Sequence, residues 1–284
     1  MTVRPTTIRD LLNFRSRLQS SSDSPALDVE LLLCHCLQKD RSYLRAWPEA
    51  PVDREVEQQF TELLERRANG EPVAYLTGEC GFWSLMLYTD ASTLIPRPDT
   101  ELLVEESLRL LADRPRAAVL DLGTGTGAVA LALASERPGW QLLACDLQAS
   151  AVALAERNRR RLGLDNVRVV ESDWFRQIPP QTFDLIVSNP PYIDPDDPHL
   201  GRGDVRFEPR SALVAEDNGF ADIERIISGA PAFLGGGGWL LFEHGYNQGE
   251  GARGRLDAAG YREVFTARDL AGHERVSGGR YFHE

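Results

Sequence analysis

Asn189-Pro190-Pro191-Tyr192 puts a side-chain amide, carbonyls that no sheet ladder needs and an aromatic ring within four residues. The chemistry this set suits is the handling of a planar NH₂ group. An amide or aryl amine nitrogen is a poor nucleophile because its lone pair is delocalised. If the Asn189 side-chain oxygen and the Pro190 carbonyl each accept one N–H, the group is held and its lone pair can be turned toward an electrophile. Each such hydrogen bond contributes on the order of 1 kcal/mol, and the larger gain is orientation. Pro191 stiffens the turn, and Tyr192 can pack on the flat face of the guest. A pocket of this kind should reject groups that lack two N–H donors. The catalytic candidates are therefore Asn189, Pro190 and Tyr192, and all four residues are candidate substrate contacts.

A second stretch could supply the electrophile. Asp121-Leu122-Gly123-Thr124-Gly125-Thr126-Gly127 reads as a glycine-rich turn that lets a ligand approach the backbone, followed by a helix start with free N–H groups. Gly123, Gly125 and Ala128 also satisfy the dinucleotide pattern, so the turn alone leaves the nucleotide-type cofactor open. Asp146, twenty-three residues after Gly123, suits a ribose diol in either case. Two features point to S-adenosylmethionine. Asp121 would repel a pyrophosphate but suits an ammonium and a nearby sulfonium. Ser172-Asp173-Trp174 offers a carboxylate for an adenine amino group and an indole, Trp174, for the ring face.

These stretches must be held by regular elements. Residues 7–70 read as helices: Thr7 as a cap with Asp10 three residues on, Ser24-Pro25 as a second start followed by Leu27, Leu31, Leu32 and Cys34, and Asp53 as a third with Val56, Phe60, Leu63 and Leu64 on one face, stopped at Gly70. Nothing in this part suggests catalysis. The run from Phe82 to Tyr88 predicts a hairpin of two short strands, and Pro96-Arg97-Pro98 a stiff loop that fixes Arg97 ahead of a helix. After Pro115 strands and helices alternate. Strands are expected over 118–122, 142–146, 167–170, 184–188, 239–243, 261–266 and 279–283, and helices through Val129, over 150–162, through Ile223 and over 248–259. Such alternation predicts an α/β fold with a mostly parallel, doubly wound sheet, whose carboxyl end is where ligands bind. The expected organisation is a helical domain over 1–74, a hairpin linker over 75–97 and the ligand-binding domain over 98–284.

Composition narrows the function further. The 284 residues carry a formal net charge of −12, which disfavours sequence-independent nucleic-acid binding. Arg157, Arg159, Arg160 and Arg161 form a basic run, but its place in a helix fits a solvated face. No apolar run reaches membrane-spanning length, and Met1 to Asp10 lacks the core of a secretory signal, so a cytoplasmic location is expected. Cys34-His35-Cys36 is too tightly spaced for a zinc site, and Cys80 and Cys145 are isolated, so no metal is expected.

Taken jointly, Asp121 to Gly127 and Asn189 to Tyr192 resemble the methyltransferases that act on planar amino groups. More specifically, Ile95 to Glu101, Leu120 to Ala128, Ser172-Asp173-Trp174-Phe175, Val187 to Asp194, Arg206-Phe207-Glu208-Pro209 and Glu243-His244-Gly245 resemble the bacterial protein-(glutamine-N5) methyltransferases that modify peptide chain release factors. The resemblance implies a Rossmann-like class I methyltransferase sheet of seven strands, one antiparallel near the edge, preceded by a small all-helical domain that docks on the release factor. It implies S-adenosylmethionine held by Gly123, Thr124, Gly125, Thr126 and Gly127, with Asp146 at the ribose and Trp174 at the adenine. Asn189 would touch both cofactor and substrate, and Pro190, Pro191 and Tyr192 would complete the pocket for the glutamine of a Gly-Gly-Gln loop. A methyltransferase for a ribosomal-protein glutamine would share this chemistry. A nucleic-acid amino methyltransferase fits the acidic balance less well. A dinucleotide dehydrogenase fits the glycines and leaves Asn189 to Tyr192 unexplained.

Overall fold

The computed structural model describes residues 5–283. The first four residues, which belong to the stretch read for a leader and to the 1–74 domain, lie outside the described residues. The chain forms two compact units. One takes residues up to Glu79 together with Pro198–Phe207; the other takes Cys80–Asp197 and the chain from Glu208 onward.

The first unit is helical. Helix α1 (Ile8–Leu12) begins at a capping box: the Thr7 hydroxyl accepts from the Asp10 N–H and the Asp10 carboxylate accepts from the Thr7 N–H. Helix α2 (Pro25–Leu37) starts on proline, as expected, and ends at Gln38 in the left-handed region. Its buried stripe is Val29, Leu32, Leu33 and Cys36, spaced i, i+3, i+4 and i+7. Leu27 and Leu31 stand about 200° round the helix from Val29, so they are 38% and 37% exposed instead of joining that stripe. Helices α3 (Arg41–Ala46) and α5 (Val73–Thr77) are additions to the sequence reading, while α4 (Arg54–Ala68) buries Phe60, Leu63 and Leu64. The remote segment Pro198–Phe207 belongs here through ionic contacts. Buried Arg67 on α4 donates to Asp28 at 2.6 Å and to Asp204 at 2.9 Å, and Arg206 donates to the Asn69 carbonyl at 3.0 Å.

The second unit opens with the expected hairpin, β1 (Glu79–Phe82) and β2 (Leu85–Tyr88), and helix α6 (Glu101–Leu110). Then come β3 (Ala118–Leu122), α7 (Ala128–Glu136), β4 (Gln141–Asp146), α8 (Ala149–Leu162), β5 (Val167–Glu171) and β6 (Phe183–Ser188). A short kinked α9 (Glu216–Gly219), α10 (Ala221–Gly229), β7 (Leu234–Glu243), α11 (Gly249–Ala258), β8 (Arg262–Arg268) and β9 (Glu274–Tyr281) complete it. The sheet order is β5-β4-β3-β6-β7-β9-β8; all neighbours are parallel except the pairs made by β9. Strand β7 starts five residues earlier than expected because Leu234 already pairs with Phe183; the register with β6 shifts across the glycines before Trp239 pairs with Leu185. Strand β9 also begins five residues early, at Glu274.

The continuous apolar runs of β3 and β6 follow from burial on both faces. Val119 packs with Leu103, Val129 and Leu133 on one side, and Leu120 and Leu122 with Ile186, Ile223 and Leu256 on the other. The chain runs outward from β3 through β4 to β5, then returns to lay β6 on the opposite side of β3. That reversal is the topological switch point, so the carboxyl ends of β3 and β6 open side by side.

Candidate active site

The glycine turn leaves β3 and Asn189 leaves β6, one residue past the pair Leu122 and Ser188. The Ser188 hydroxyl donates to the Leu122 carbonyl at 2.8 Å and ties the two ends together. A cavity of about 300 Å³ lies there. Of the residues singled out in the sequence, Asp121, Gly123, Thr124, Gly125, Thr126, Asp146, Trp174, Asn189 and Pro191 line it. Gly127, Pro190 and Tyr192 stand behind the wall. Gly127 has φ +87 and caps α7, and a Cβ there would meet Leu131 Cδ1 at 2.9 Å. Pro190 is buried. The Tyr192 ring packs in the apolar layer of Ile186 and Phe242, and its hydroxyl donates to Glu243 at 3.0 Å.

Two carboxylates shape the field of the cavity. Asp121 is buried; one of its oxygens accepts from the Thr124 hydroxyl at 2.6 Å and from the Ala130 N–H at 3.2 Å. Burial still dominates and pushes its pKa up to about 7, helped by the Asp146 charge and opposed by those two donors. Asp146 accepts from the Gly125 N–H and the Gln148 N–H, each at 2.9 Å, which fixes the carboxylate between the glycine turn and α8. Burial raises its pKa as well. Trp174 sits in the left-handed region at φ +51, and its ring comes within 3.8 Å of where a Cβ at Gly123 would stand. That distance is ordinary van der Waals contact, and what calls for glycine at 123 is its own backbone, in the left-handed region at φ +69.

The Asn189 amide is anchored at its nitrogen, which donates to the Thr100 hydroxyl at 3.1 Å. Its oxygen is thereby the end left to accept from a guest. Arg97, fixed between its prolines, lines the cavity and donates to buried Glu208 at 2.5 Å. This joins two of the six motifs quoted above. In another, Glu243-His244-Gly245, His244 bridges Ser277 of β9 at 2.8 Å and faces the Gly245 carbonyl at 2.9 Å, with burial lowering its pKa.

Sequence reasoning missed Thr100 as an anchor and missed Gln248 altogether. Gln248 accepts from the Gly245 N–H and donates to the carbonyls of Tyr192 at 3.1 Å and Asn218 at 3.0 Å, which braces the turn after Pro191. No local signal marks either role, because Asn189, Tyr192 and Asn218 are remote in sequence from the side chains that hold them. Asp222 and Arg225 at the start of α10 also line the cavity. All four arginines of the basic run on α8 are engaged within the protein: Arg157 and Arg161 stack on Tyr88 at 3.9 and 4.1 Å, and Arg159 and Arg160 pair with Glu156. Among the described residues no cluster of metal-ligating side chains occurs and no helix is long and apolar enough to cross a membrane.

Comparison with known proteins adds the family context. Residues 11–78 match the family model described as the PrmC N-terminal domain, and residues 98–201 match the Methyltransferase small domain. Proteins named release factor glutamine methyltransferase are similar along almost the whole chain. That of Salmonella typhimurium is 54% identical over 92% of this chain and 94% of its own. That of Escherichia coli K12 is 52% identical over 94% and 96%, and that of Pseudomonas aeruginosa 55% identical over 91% and 94%. Among solved structures, a methyltransferase from Pyrococcus furiosus superposes with a TM-score of 0.54 at 19% identity, covering 78% of this chain and all of its own. The Thermus thermophilus 16S rRNA N2 G1207 methyltransferase, solved with AdoMet and guanosine, gives 0.51 at 20% identity, covering 71% of this chain and 49% of its own. At these identities the structural likeness bears on the fold, which is the Rossmann-like class I methyltransferase fold with its seven-stranded sheet and helical N-terminal part.

Proposed function

This chain belongs to the release factor glutamine methyltransferase family, and we propose that it transfers a methyl group from S-adenosylmethionine to the side-chain amide nitrogen of the glutamine in the Gly-Gly-Gln motif of peptide chain release factors. The observation that carries the reading is the Asn189 amide, held by its nitrogen on Thr100 at the wall of a cavity that the glycine turn also lines. That arrangement presents an acceptor, not a donor, to the NH₂ of a glutamine.

The cavity residues fit the cofactor. Asp146, on the rim between the glycine turn and α8, would take the ribose, Trp174 the adenine face, and Asp121 the ammonium of the methionine tail. Gly123, Thr124, Gly125, Thr126 and Gly127 would give the backbone its close approach, with Gly127 acting from behind through the helix start. S-adenosylmethionine, when bound, supplies a methyl group on a sulfonium. The chain's own part is alignment. Asn189 Oδ1 and the Pro190 carbonyl would accept the two substrate N–H bonds, which fixes the NH₂ group so that its lone pair faces the position of the methyl. No strong base is needed before transfer, because positive charge passes from sulfur to nitrogen as the new bond forms. The alkylated nitrogen must then shed one of its two protons, and the same two acceptors sit beside them. Pro191 lines the cavity, and Tyr192, packed behind it and anchored on Glu243, keeps the turn rigid.

The helical unit is proposed to dock on the release factor, and the enzyme to work in the cytoplasm without contacting nucleic acid. The test is incubation with methyl-labelled S-adenosylmethionine and, separately, a purified release factor, a ribosomal-protein mixture and DNA. Label is expected in the release factor, at its Gly-Gly-Gln glutamine. Label in a ribosomal protein or in DNA alone would overturn the assignment.

A further inference from the structure

Glu243, the last residue of β7, is 2% exposed, and its second carboxylate oxygen is buried with no hydrogen-bond partner. A buried acceptor left open is destabilising, so it calls for a reason. The first oxygen accepts from the Tyr192 hydroxyl at 3.0 Å. The nearest cation, Arg275, is engaged elsewhere, with Asp99 at 3.1 Å and Asp269 at 3.1 Å. Burial raises the Glu243 pKa, and the neighbouring Thr100 and Tyr192 hydroxyls together with the Arg275 charge oppose that rise by favouring the carboxylate. Thr100 is itself buried and already accepts from Asn189 Nδ2, so its single proton needs an acceptor.

We propose that Glu243 is a positioning residue that sets the polarity of the Asn189 amide through Thr100. An ionised carboxylate can only accept. Thr100 must then give its proton to Glu243 and use a lone pair for Asn189, which has to present its NH₂ to Thr100 and its oxygen to the cavity. With a donor in place of Glu243 the order reverses: Thr100 donates to the Asn189 oxygen and the NH₂ turns toward the substrate NH₂, donor against donor. The same carboxylate anchors the Tyr192 hydroxyl, so both ends of the Asn189–Tyr192 turn hang on one buried group. The three elements it joins are remote in sequence: the stretch before α6, the end of β6 and the end of β7.

This inference rests on the proposed glutamine methylation, and the test separates the two. Steady-state methylation of release factor and direct cofactor binding are measured for the full-length chain and for Glu243→Gln, Thr100→Val and Thr100→Ser. Glu243→Gln keeps the shape and is expected to lower kcat about tenfold or more, with cofactor Kd changed less than about threefold, because only an interaction made to the reacting amide is lost. Thr100→Val should match it, and Thr100→Ser, which keeps the hydroxyl, should restore turnover to within about threefold of the parent. The double variant Glu243→Gln with Thr100→Val should be no worse than either single, since both act through one relay. A parent chain that leaves the release factor unlabelled overturns the proposed function and this inference with it. An active parent with an unimpaired Glu243→Gln, with Thr100→Val as active as Thr100→Ser, or with cofactor affinity falling in step with kcat overturns the relay alone.

Discussion

Two side chains at the cavity carry opposite duties, and the difference lies in their surroundings. Asn189 is neutral, donates with its nitrogen to Thr100 and so offers an oxygen. Removing that oxygen in Asn189→Ala should abolish most methylation, a fall in kcat of about a hundredfold or more, while cofactor affinity stays within a few-fold, because the lost contact orients the nucleophile. Rapid-quench turnover beside calorimetric cofactor binding checks this; parallel losses in both would mean that Asn189 holds the fold of the turn and not the substrate. Asp121 is the ionisable counterpart. Burial raises its pKa to about 7 in the cavity, so below that pH the free protein holds a proton there. A bound ammonium and sulfonium favour the carboxylate, so binding expels that proton. Cofactor affinity should therefore climb as pH rises from about 5.5 to about 7, by up to tenfold per pH unit, and level off above it. Calorimetry in buffers of different ionisation enthalpy should detect the released proton, and Asp121→Asn should flatten the rise. A pH-independent Kd for the parent protein would rule out contact between Asp121 and the cationic tail.

At the scale of elements, the site is a consequence of strand order. Strands β3 and β6 are neighbours although sixty residues separate them, and the glycine turn and Asn189 meet only because both strands stop at the same level. Much of this could be read beforehand. Continuous apolar runs such as Leu185-Ile186-Val187, glycines after a strand and prolines that end one are local features with local causes, and each lay where the sequence placed it. What could not be read has remote causes. Thr100, Gln248 and Glu243 owe their roles to the remote Asn189–Tyr192 turn, 51 or more residues away, and Leu27 and Leu31 were apolar residues on a face that the neighbouring helices do not cover. The added length of β7 came from a run of glycines, which composition alone reads as loop. Gly127 shows how tightly the turn is tied to its helix. With φ +87 and Leu131 pressed against it, Gly127→Ala combines left-handed strain with a close contact and should reduce unfolding free energy by roughly 1–3 kcal/mol. Denaturant titration measures it, and cofactor affinity should fall alongside, since the turn and the start of α7 shift together. A substitution that leaves stability unchanged would show that the turn has room to adapt.

For the whole molecule, the question is how a helical unit with no catalytic residue serves the reaction. The unit is not simply the amino-terminal part of the chain. Pro198–Phe207, which follows the Asn189 turn in sequence, is part of it, and Arg67 holds that segment to α2 and α4 through Asp28 and Asp204. Cutting the chain at residue 74 would leave Asp204 and Arg206 without those partners, so truncation would damage packing whatever its effect on the proposed docking. A surface substitution asks the docking question more cleanly. Trp47, at the end of α3, is 61% exposed, and its N–H donates inward to the Tyr43 carbonyl only through the backbone, so the indole plays no part in holding α3. Tryptophan is the residue type most enriched where binding energy concentrates in protein interfaces. If the helical unit docks the release factor through this indole, Trp47→Ala should raise KM for the intact factor about tenfold, the loss of one ordinary interface anchor, with kcat unchanged. The same variant should methylate a short Gly-Gly-Gln peptide as the parent does, because the peptide reaches only the cavity. Parallel kinetics on the two substrates decide the matter: an equal effect on protein and peptide, or none on either, would remove Trp47 from the docking surface.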